Sequence, residues 1–169
     1  RARAVNHLNL GSVLRAQGRH AEALATLTTS LDLHRAAYGE GHPNLWKPLF
    51  NLGAVALDAG MFPEAEVYFD QALTLAASAF GPDNRKVLET HRALMALFND
   101  AGRSDRARDQ ASVPLAICDE KFPASEPLCL DLRRLLAHSL EILGEPLQSL
   151  TLREQILDVA RRLADTEGF

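Results

Sequence analysis

The sequence predicts an all-α protein, built as a right-handed solenoid of four stacked helix-turn-helix hairpins. Three observations lead to this fold class. Residues recur at a spacing of 42 positions, apolar residues within each unit follow a helical period, and no segment alternates as a strand does. The chain has 169 residues, of which 47% are hydrophobic and 24% charged, a composition that suits one ordinary domain or a short run of repeats.

Glycine and leucine positions give the clearest evidence for the repeat. Four glycines lie 42 residues apart, at Gly18, Gly60, Gly102 and Gly144. Four leucines follow the same spacing, at Leu10, Leu52, Leu94 and Leu136. We therefore expect a single repeat domain over residues 1–169, with units of approximately 1–42, 43–84, 85–126 and 127–169. Because the chain starts on Arg1, we interpret it as a fragment of a larger protein.

The spacing of apolar residues indicates two helices in each unit. In the first unit, an apolar stripe falls at i, i+3, i+4 and i+7, on His7, Leu10, Gly11 and Leu14. Each glycine of the fourfold series is expected to end the first helix in a left-handed conformation. Eight helices are predicted, over 2–17, 20–37, 45–59, 63–79, 85–101, 104–121, 126–143 and 146–165. Three of them have candidate N-cap residues, at Asn44, Asn84 and Ser125.

Two features refine this pattern. Gly11 and Gly53 on the first helices allow close approach of the second helices, whose larger residues fill the space beside them. Pro114 stands in the middle of the predicted sixth helix, where it removes the hydrogen bond to the carbonyl of Gln110. The sequence therefore predicts a kink or break near residues 110–114.

The second unit carries a family resemblance. Its segments are LFNLGA at 49–54, AGMFPEA at 59–65 and FDQAL at 69–73, followed by the loop FGPDN at 80–84. These residues resemble the tetratricopeptide repeat family, in its 42-residue, kinesin-light-chain-like variety. The resemblance covers the whole chain but is weakest in the fourth unit. There Arg153 stands at the repeat position (the column) that the aromatic residue Phe69 occupies in the second unit. That unit is either a cap or an internal repeat whose continuation is missing.

Composition and spacing argue against several functions. A net charge of −4 disfavours nucleic-acid binding, and no apolar run is long enough for a membrane span. Six histidines and two cysteines show no metal-ligand spacing or nucleophile motif, so we expect no metal, no cofactor and no enzymatic activity. Cys118 and Cys129 could pair, but reduced thiols are expected for a cytoplasmic repeat protein. His20, His34 and His42 are expected to be solvated.

The remaining candidate site is the inner, concave face of the first helices. The resemblance implies peptide binding there, with Asn9 and Asn51 holding an extended ligand backbone. The arginine and lysine side chains of this face could recognise an acidic peptide or a terminal carboxylate, unless local ion pairs such as Glu89 with Arg92 neutralise their charge. The candidate groove residues are Asn9, Ser12, Arg15, Lys47, Phe50, Asn51, Arg92, Asn99, Arg134 and His138. Trp46 is either an inter-repeat packing residue or an exposed anchor.

Two functional hypotheses follow. The first is a non-catalytic interaction module that binds a peptide or partner segment, possibly another domain of its own chain, in the concave groove. The second is a structural or regulatory spacer, or a self-association domain, in a larger signalling protein or enzyme. An exposed apolar patch on the outer or terminal helices, and not in the groove, would favour it.

Overall fold

The computed structural model describes residues 2–167, and within that range all regular structure is helical. The helices are α1 (Ala2–Ala16), α2 (His20–Tyr38), α3 (Trp46–Asp58), α4 (Phe62–Phe80), α5 (Arg85–Asp100), α6 (Ser104–Gln110), α7 (Ser112–Lys121), α8 (Pro127–Ile142) and α9 (Pro146–Glu167), with a short 3₁₀ turn over Pro43–Leu45 before α3. The predicted helix boundaries agree with these to within two residues, apart from the division of the sixth helix.

The turn between the two helices of each hairpin is the same in all four repeats. Gly18, Gly60, Gly102 and Gly144 have φ between 69° and 77°, the left-handed conformation that the glycine series predicts. In the first turn, the Arg19 amide donates to the Leu14 carbonyl at 3.0 Å, and the equivalent bonds in the other turns are 2.7–2.8 Å long. Each first helix therefore ends at a glycine, and the end is stabilised by local backbone hydrogen bonds alone.

The predicted break before Pro114 is confirmed. Helix α6 ends at Gln110, Ala111 joins the two segments, and α7 begins at Ser112. Proline has no amide hydrogen to donate and its ring crowds the carbonyl four residues earlier, so one continuous helix is disfavoured. The chain resumes helical bonding when the Leu115 amide donates to the Ala111 carbonyl.

The expectation of reduced cysteines is wrong. Cys118 on α7 and Cys129 on α8 form a disulfide, with their Cα atoms 5.7 Å apart. Both residues are buried. Helices α7 and α8 are joined by a short loop and pack against each other. This packing brings the two cysteine side chains within bonding distance, although 11 positions separate them in the sequence.

The chain divides into two compact units, one up to Thr90 and one from His91 onward. In the first, α1 packs on α2, α3 on α4, and α2 on α3. Their shared core contains Leu27, Leu31, Leu52 and Val55. In the second, α8 packs on α9, and both α6 and α7 contact α8. The interpretation as a single domain stays a prediction.

Two glycines allow the close helix contacts in the first unit, as the sequence predicts. A Cβ atom on Gly11 would come within 2.5 Å of Leu27 Cγ, and one on Gly53 would come within 2.7 Å of the Phe69 ring. Leu27 and Phe69 are fully buried. The third repeat exchanges the sizes, with Met95 in the glycine column and Ala111 in the Leu27 column.

Of the three expected N-caps, only one is present. The Asn84 side chain accepts a 3.0 Å hydrogen bond from the Lys86 amide at the start of α5. Asn44 instead lies in the 3₁₀ turn, where its amide donates to the His42 ring. Ser125 is not the cap of α8, because the residue before that helix is Glu126, whose side chain makes no capping bond.

Candidate functional site

Helices α1 and α3 carry the six candidate residues of the first unit. Asn9 is exposed, and its side chain makes no hydrogen bond to the residues described. The Asn51 amide nitrogen donates to Ser12 Oγ at 3.1 Å, and Ser12 Oγ donates to the Leu8 carbonyl at 3.0 Å. The carbonyl oxygen of Asn51 is left to accept a further bond. The two carboxamides therefore offer both donors and acceptors to a ligand.

Arg15 is already paired within the first unit. Its guanidinium contacts both carboxylate oxygens of Asp58, at 2.6 Å and 3.3 Å. Bidentate pairing of this kind satisfies the geometry of the guanidinium fork. Asp58 follows one repeat later, so this pair joins two hairpins. Arg15 is consequently a poor partner for an incoming carboxylate.

Lys47 and Phe50 present a different surface. Lys47 is exposed and makes no ion pair with any residue between 2 and 167. Phe50 is half-buried, with its ring centroid 5.1 Å from that of Trp46 and 5.6 Å from that of Phe69. An aromatic face therefore lies one helical turn from a cation that has no counter-charge among the described residues.

Trp46 is an inter-repeat packing residue, the first of the two alternatives. It is buried, and its indole nitrogen donates to Thr90 Oγ1 of the following repeat at 3.2 Å. The Lys86 ammonium lies 3.7 Å from the centroid of the Phe80 ring and 5.2 Å from that of Trp46. These cation–π contacts hold Lys86 without removing its positive charge.

A cavity of about 350 Å³ lies beside these side chains. It is lined by Val5, Leu8, Asn9, His34, Tyr38, Pro43, Asn44, Trp46, Lys47 and Lys86. The lining contains two lysines and no carboxylate, so the cavity favours an anionic group. Sequence reasoning found Asn9 and Lys47 but missed Lys86 and Tyr38, because those two reach the cavity from a helix start and a helix end outside the first-helix stripe.

Histidines near the cavity correct another expectation. His34 is not solvated: it is buried, with its Nδ1 2.8 Å from the Ser30 carbonyl oxygen. Tyr38 stacks between His34 and His42, with centroid distances of 6.0 Å and 4.7 Å. His20 and His42 are each partly buried. The stack gives one side of the cavity a rigid aromatic wall.

In the second unit, Asn99 is used by the fold. It is buried, its nitrogen donates to the Leu135 carbonyl at 3.2 Å, and its oxygen accepts from Ser139 Oγ at 2.8 Å. Because both the donor and the acceptor of this amide are bonded to α8, the side chain has few hydrogen bonds to offer a ligand. Asn99 therefore joins α5 to α8.

The other candidates of the second unit differ in their pairing. Arg134 contacts Asp131, three positions earlier on α8, at 3.0 Å. Glu89, which was expected to pair with Arg92, instead contacts Arg85 at 3.3 Å. Arg92 is half-buried and makes no ion pair within the described part of the chain. His138 is exposed.

The environment of His91 changes its pKa. It is buried, and burial lowers its pKa to about 4. Gln110 Nε2 lies 3.2 Å from its Nδ1 and donates to it. Among residues 2–167, no group of three or more His, Cys, Asp or Glu side chains could hold a metal ion. None of the helices described has the length and apolar character of a membrane span.

The comparison with protein families identifies the repeat. The sequence profile described as tetratricopeptide repeat matches residues 2–76 and, in a second overlapping match, residues 47–118. No curated protein matches the chain significantly.

Solved structures share the fold at low sequence identity. A kinesin light chain-like protein of Podosopora anserina, with nearly identical TPR-like repeats, is 18% identical, with a TM-score of 0.83 over 95% of this chain and 76% of that one. BtubC (BKLC) from P. vanneervenii is 17% identical, with a TM-score of 0.84 over 98% of this chain and 65% of that one. MamA is 14% identical, with a TM-score of 0.71 over 96% and 81%.

These likenesses establish the fold and no more. The chain spans about two thirds of BtubC and about three quarters of the Podosopora protein. The fold class is an all-α helical repeat of the solenoid type, as the 42-residue spacing predicts. Such repeats are a general scaffold for protein–protein interaction.

Proposed function

Because the chain belongs to the tetratricopeptide repeat family, we propose that it is a non-catalytic interaction module that binds an extended, acidic peptide on α1 and α3. The observation that carries this proposal is the cavity of about 350 Å³ beside Asn9, whose lining includes Lys47 and Lys86 but no carboxylate. An acidic side chain or a terminal carboxylate of the peptide would enter this cavity.

The neighbouring carboxamides supply the backbone contacts. Asn9 and the free carbonyl oxygen of Asn51 can bond to a peptide's amide and carbonyl groups. Phe50 offers an apolar face for a side chain of the ligand. Lys47 supplies the charge, because Arg15 is held by Asp58.

The second unit offers a separate surface. Arg92 has no ion-pair partner among the described residues, and His138 is exposed. Arg92, Arg134 and His138 stay predicted peptide-binding residues of the second unit. Cytoplasmic location also stays a prediction, and the disulfide is more typical of an oxidising compartment.

The test uses peptides selected from a random display library on the full chain. Selected peptides are expected to be rich in Asp and Glu, and Lys47→Ala is expected to weaken their binding about tenfold, the size of one charge-assisted hydrogen bond. Asn51→Ala should weaken it by a similar factor. Affinities are measured by fluorescence anisotropy, with circular dichroism to verify folding.

Arg161→Ala is the matched control, since this cation is exposed on α9 and lies far along the chain from the proposed surface. It should leave the affinity unchanged. Selection of peptides without acidic residues, or equal affinity of Lys47→Ala and wild type, would contradict the proposal.

The second hypothesis also has an observation in its favour. Several large apolar residues on α1 and α9 are exposed, including Leu10, Val13, Leu150 and Leu157. This distribution favours association through the terminal helices, in addition to any peptide bound on the first-helix surface.

A further inference from the structure

Helix α1 exposes two residues that later repeats bury. Leu10 and Val13 lie three positions apart and are 49% and 53% exposed. Their counterparts 42 positions later, Leu52 and Val55, are 1% and 0% exposed. The next counterparts, Leu94 and Leu97, are fully buried as well. Leu10 was expected in the core stripe of the first helix, and the structure places it on the surface.

The first unit shows what covers this stripe in the next repeat. Leu52 and Val55 on α3 share one hydrophobic cluster with Leu31 on α2, and Leu24 packs against that cluster. The stripe on a first helix is thus covered by the second helix of the preceding repeat. No described residue plays this part for Leu10 and Val13.

Helix α9 carries the complementary half of the same contact. Leu150 and Leu157 stand three repeats after Leu24 and Leu31, in the same columns. Leu31 is 3% exposed, whereas Leu157 is 54% exposed. The residues that a second helix offers to the following repeat are therefore present on α9 and uncovered.

A cleft marks the place where a further first helix would pack. It has a volume of about 500 Å³ and is lined by Arg134, Ala137, Arg153, Ile156 and Leu157. The same columns of the first repeat hold Leu8, Gly11, Leu27, Ser30 and Leu31, all of which are buried. The two arginines of the cleft contact Asp131 and Glu141, so docking an apolar stripe there would bury no unpaired charge.

We propose that the chain associates with itself head to tail, with α1 of one copy docking into the cleft between α8 and α9 of a second copy. The contact would continue the repeat-to-repeat interface that α2 and α3 form within the first unit. Because the two faces differ, the contact is heterologous and leads to open chains or rings in place of a symmetric dimer. It does not depend on peptide binding, since it uses neither Asn51 nor Lys47.

Two blocked variants test this proposal. The first carries Leu10→Glu and Val13→Glu on α1, and the second carries Leu150→Glu and Leu157→Glu on α9. All four residues are exposed, so folding should be retained, which circular dichroism verifies. The molar mass is measured by size-exclusion chromatography with light scattering, over a range of concentrations of the full chain.

The wild-type mass is expected to rise with concentration to at least about twofold that of one chain, as an open heterologous contact requires. Each blocked variant alone should remain monomeric. An equimolar mixture of the two should form a dimer, because one variant retains a native α1 and the other a native α9. This recovery on mixing distinguishes a head-to-tail contact from non-specific apolar association.

Matched controls are Val5→Glu on α1 and Leu147→Glu on α9. Both residues are exposed, but the columns that they occupy are exposed or polar in the other repeats, at Lys47, Glu89 and Asp131 and at Ala21, Pro63 and Asp105. They should associate as the wild type does. A wild-type chain that stays monomeric, a blocked variant that forms dimers by itself, or a mixture that fails to associate would each overturn the proposal.

Discussion

At the residue scale, packing inside the hairpins depends on glycine at one column of the first helix. We expect Gly53→Ala to lower the free energy of unfolding by about 1–3 kcal/mol, because a new methyl group has no space in a packed core. The Cβ atom would come within 2.7 Å of the buried Phe69 ring. Urea denaturation measures the change, and an unchanged midpoint would show that the ring moves aside at no cost.

The size exchange of the third repeat supplies a companion test. Gly53→Met together with Phe69→Ala reproduces the residues that stand there, Met95 and Ala111. Because the two positions are coupled through one space, the double variant should be more stable than the sum of the two single changes predicts. If the free-energy changes of the two single variants add up to that of the double variant, the two positions do not compensate each other.

His91 makes stability depend on pH. Its pKa in the folded chain is about 4, below the value of about 6.5 in an unfolded chain. The unfolded state therefore binds the proton more readily between these values. The contribution of neutral His91 is fully present above pH 6.5 and is lost as the pH falls toward 4, by up to about 3 kcal/mol.

His91→Leu should reduce this loss, because leucine does not titrate and Leu49 fills the same column one repeat earlier. The measurement is the free energy of unfolding at several pH values between 4 and 7. His138→Gln, a change at an exposed histidine, is the control and should keep the wild-type dependence. An equal pH dependence in His91→Leu would assign the effect to other groups.

At the element scale, the disulfide joins the end of α7 to the start of α8. Closing a loop of this length restricts the unfolded chain, so Cys118→Ser with Cys129→Ser is expected to lower the free energy of unfolding by about 2–3 kcal/mol. A thiol reductant should lower the melting temperature of the wild type and leave that of the double variant unchanged. A reductant with no effect on the wild type would show that the bond adds no stability.

The elements also differ in how they begin and end. Glycine ends the first helix of every repeat, because positive φ satisfies the last carbonyls by local bonds. Helix starts are less uniform, since Asn84 caps α5 but no side chain caps α3 or α8. Capping depends on the loop that leads into each helix, and those loops differ between repeats.

At the scale of the whole molecule, the two proposals use different surfaces. Peptide binding is placed on α1 and α3 beside Lys47, whereas self-association uses the stripe of Leu10 and Val13 and the cleft near Leu157. Lys47→Ala and Asn51→Ala therefore leave the self-association residues intact, and the glutamate substitutions on α1 and α9 leave Lys47 and Asn51 intact. Peptide binding by a monomeric chain would support the first proposal alone. Association of the chain in the absence of peptide would support the second proposal alone.

The repeat, the helix boundaries, the glycine turns and the break at Pro114 were all predictable from the amino-acid sequence. These features depend on φ, on backbone hydrogen bonding and on apolar period, which act over a few residues and leave a regular trace in the chain. The close contacts of Gly11 and Gly53 were predictable for the same reason, since the second helix must pass beside the first.

Which polar groups remain available to a ligand depends on contacts between helices and could not be predicted from the sequence. Asp58 occupies Arg15, two groups on α8 occupy Asn99, and Lys47 is left without an ion pair among the described residues. The pairing of the cysteines and the exposure of Leu10 were decided in the same way. Each of these features depends on a residue that is distant in the chain, or on whether another helix covers the residue. A repeat pattern gives the position of a residue in its helix but not the residues that surround it.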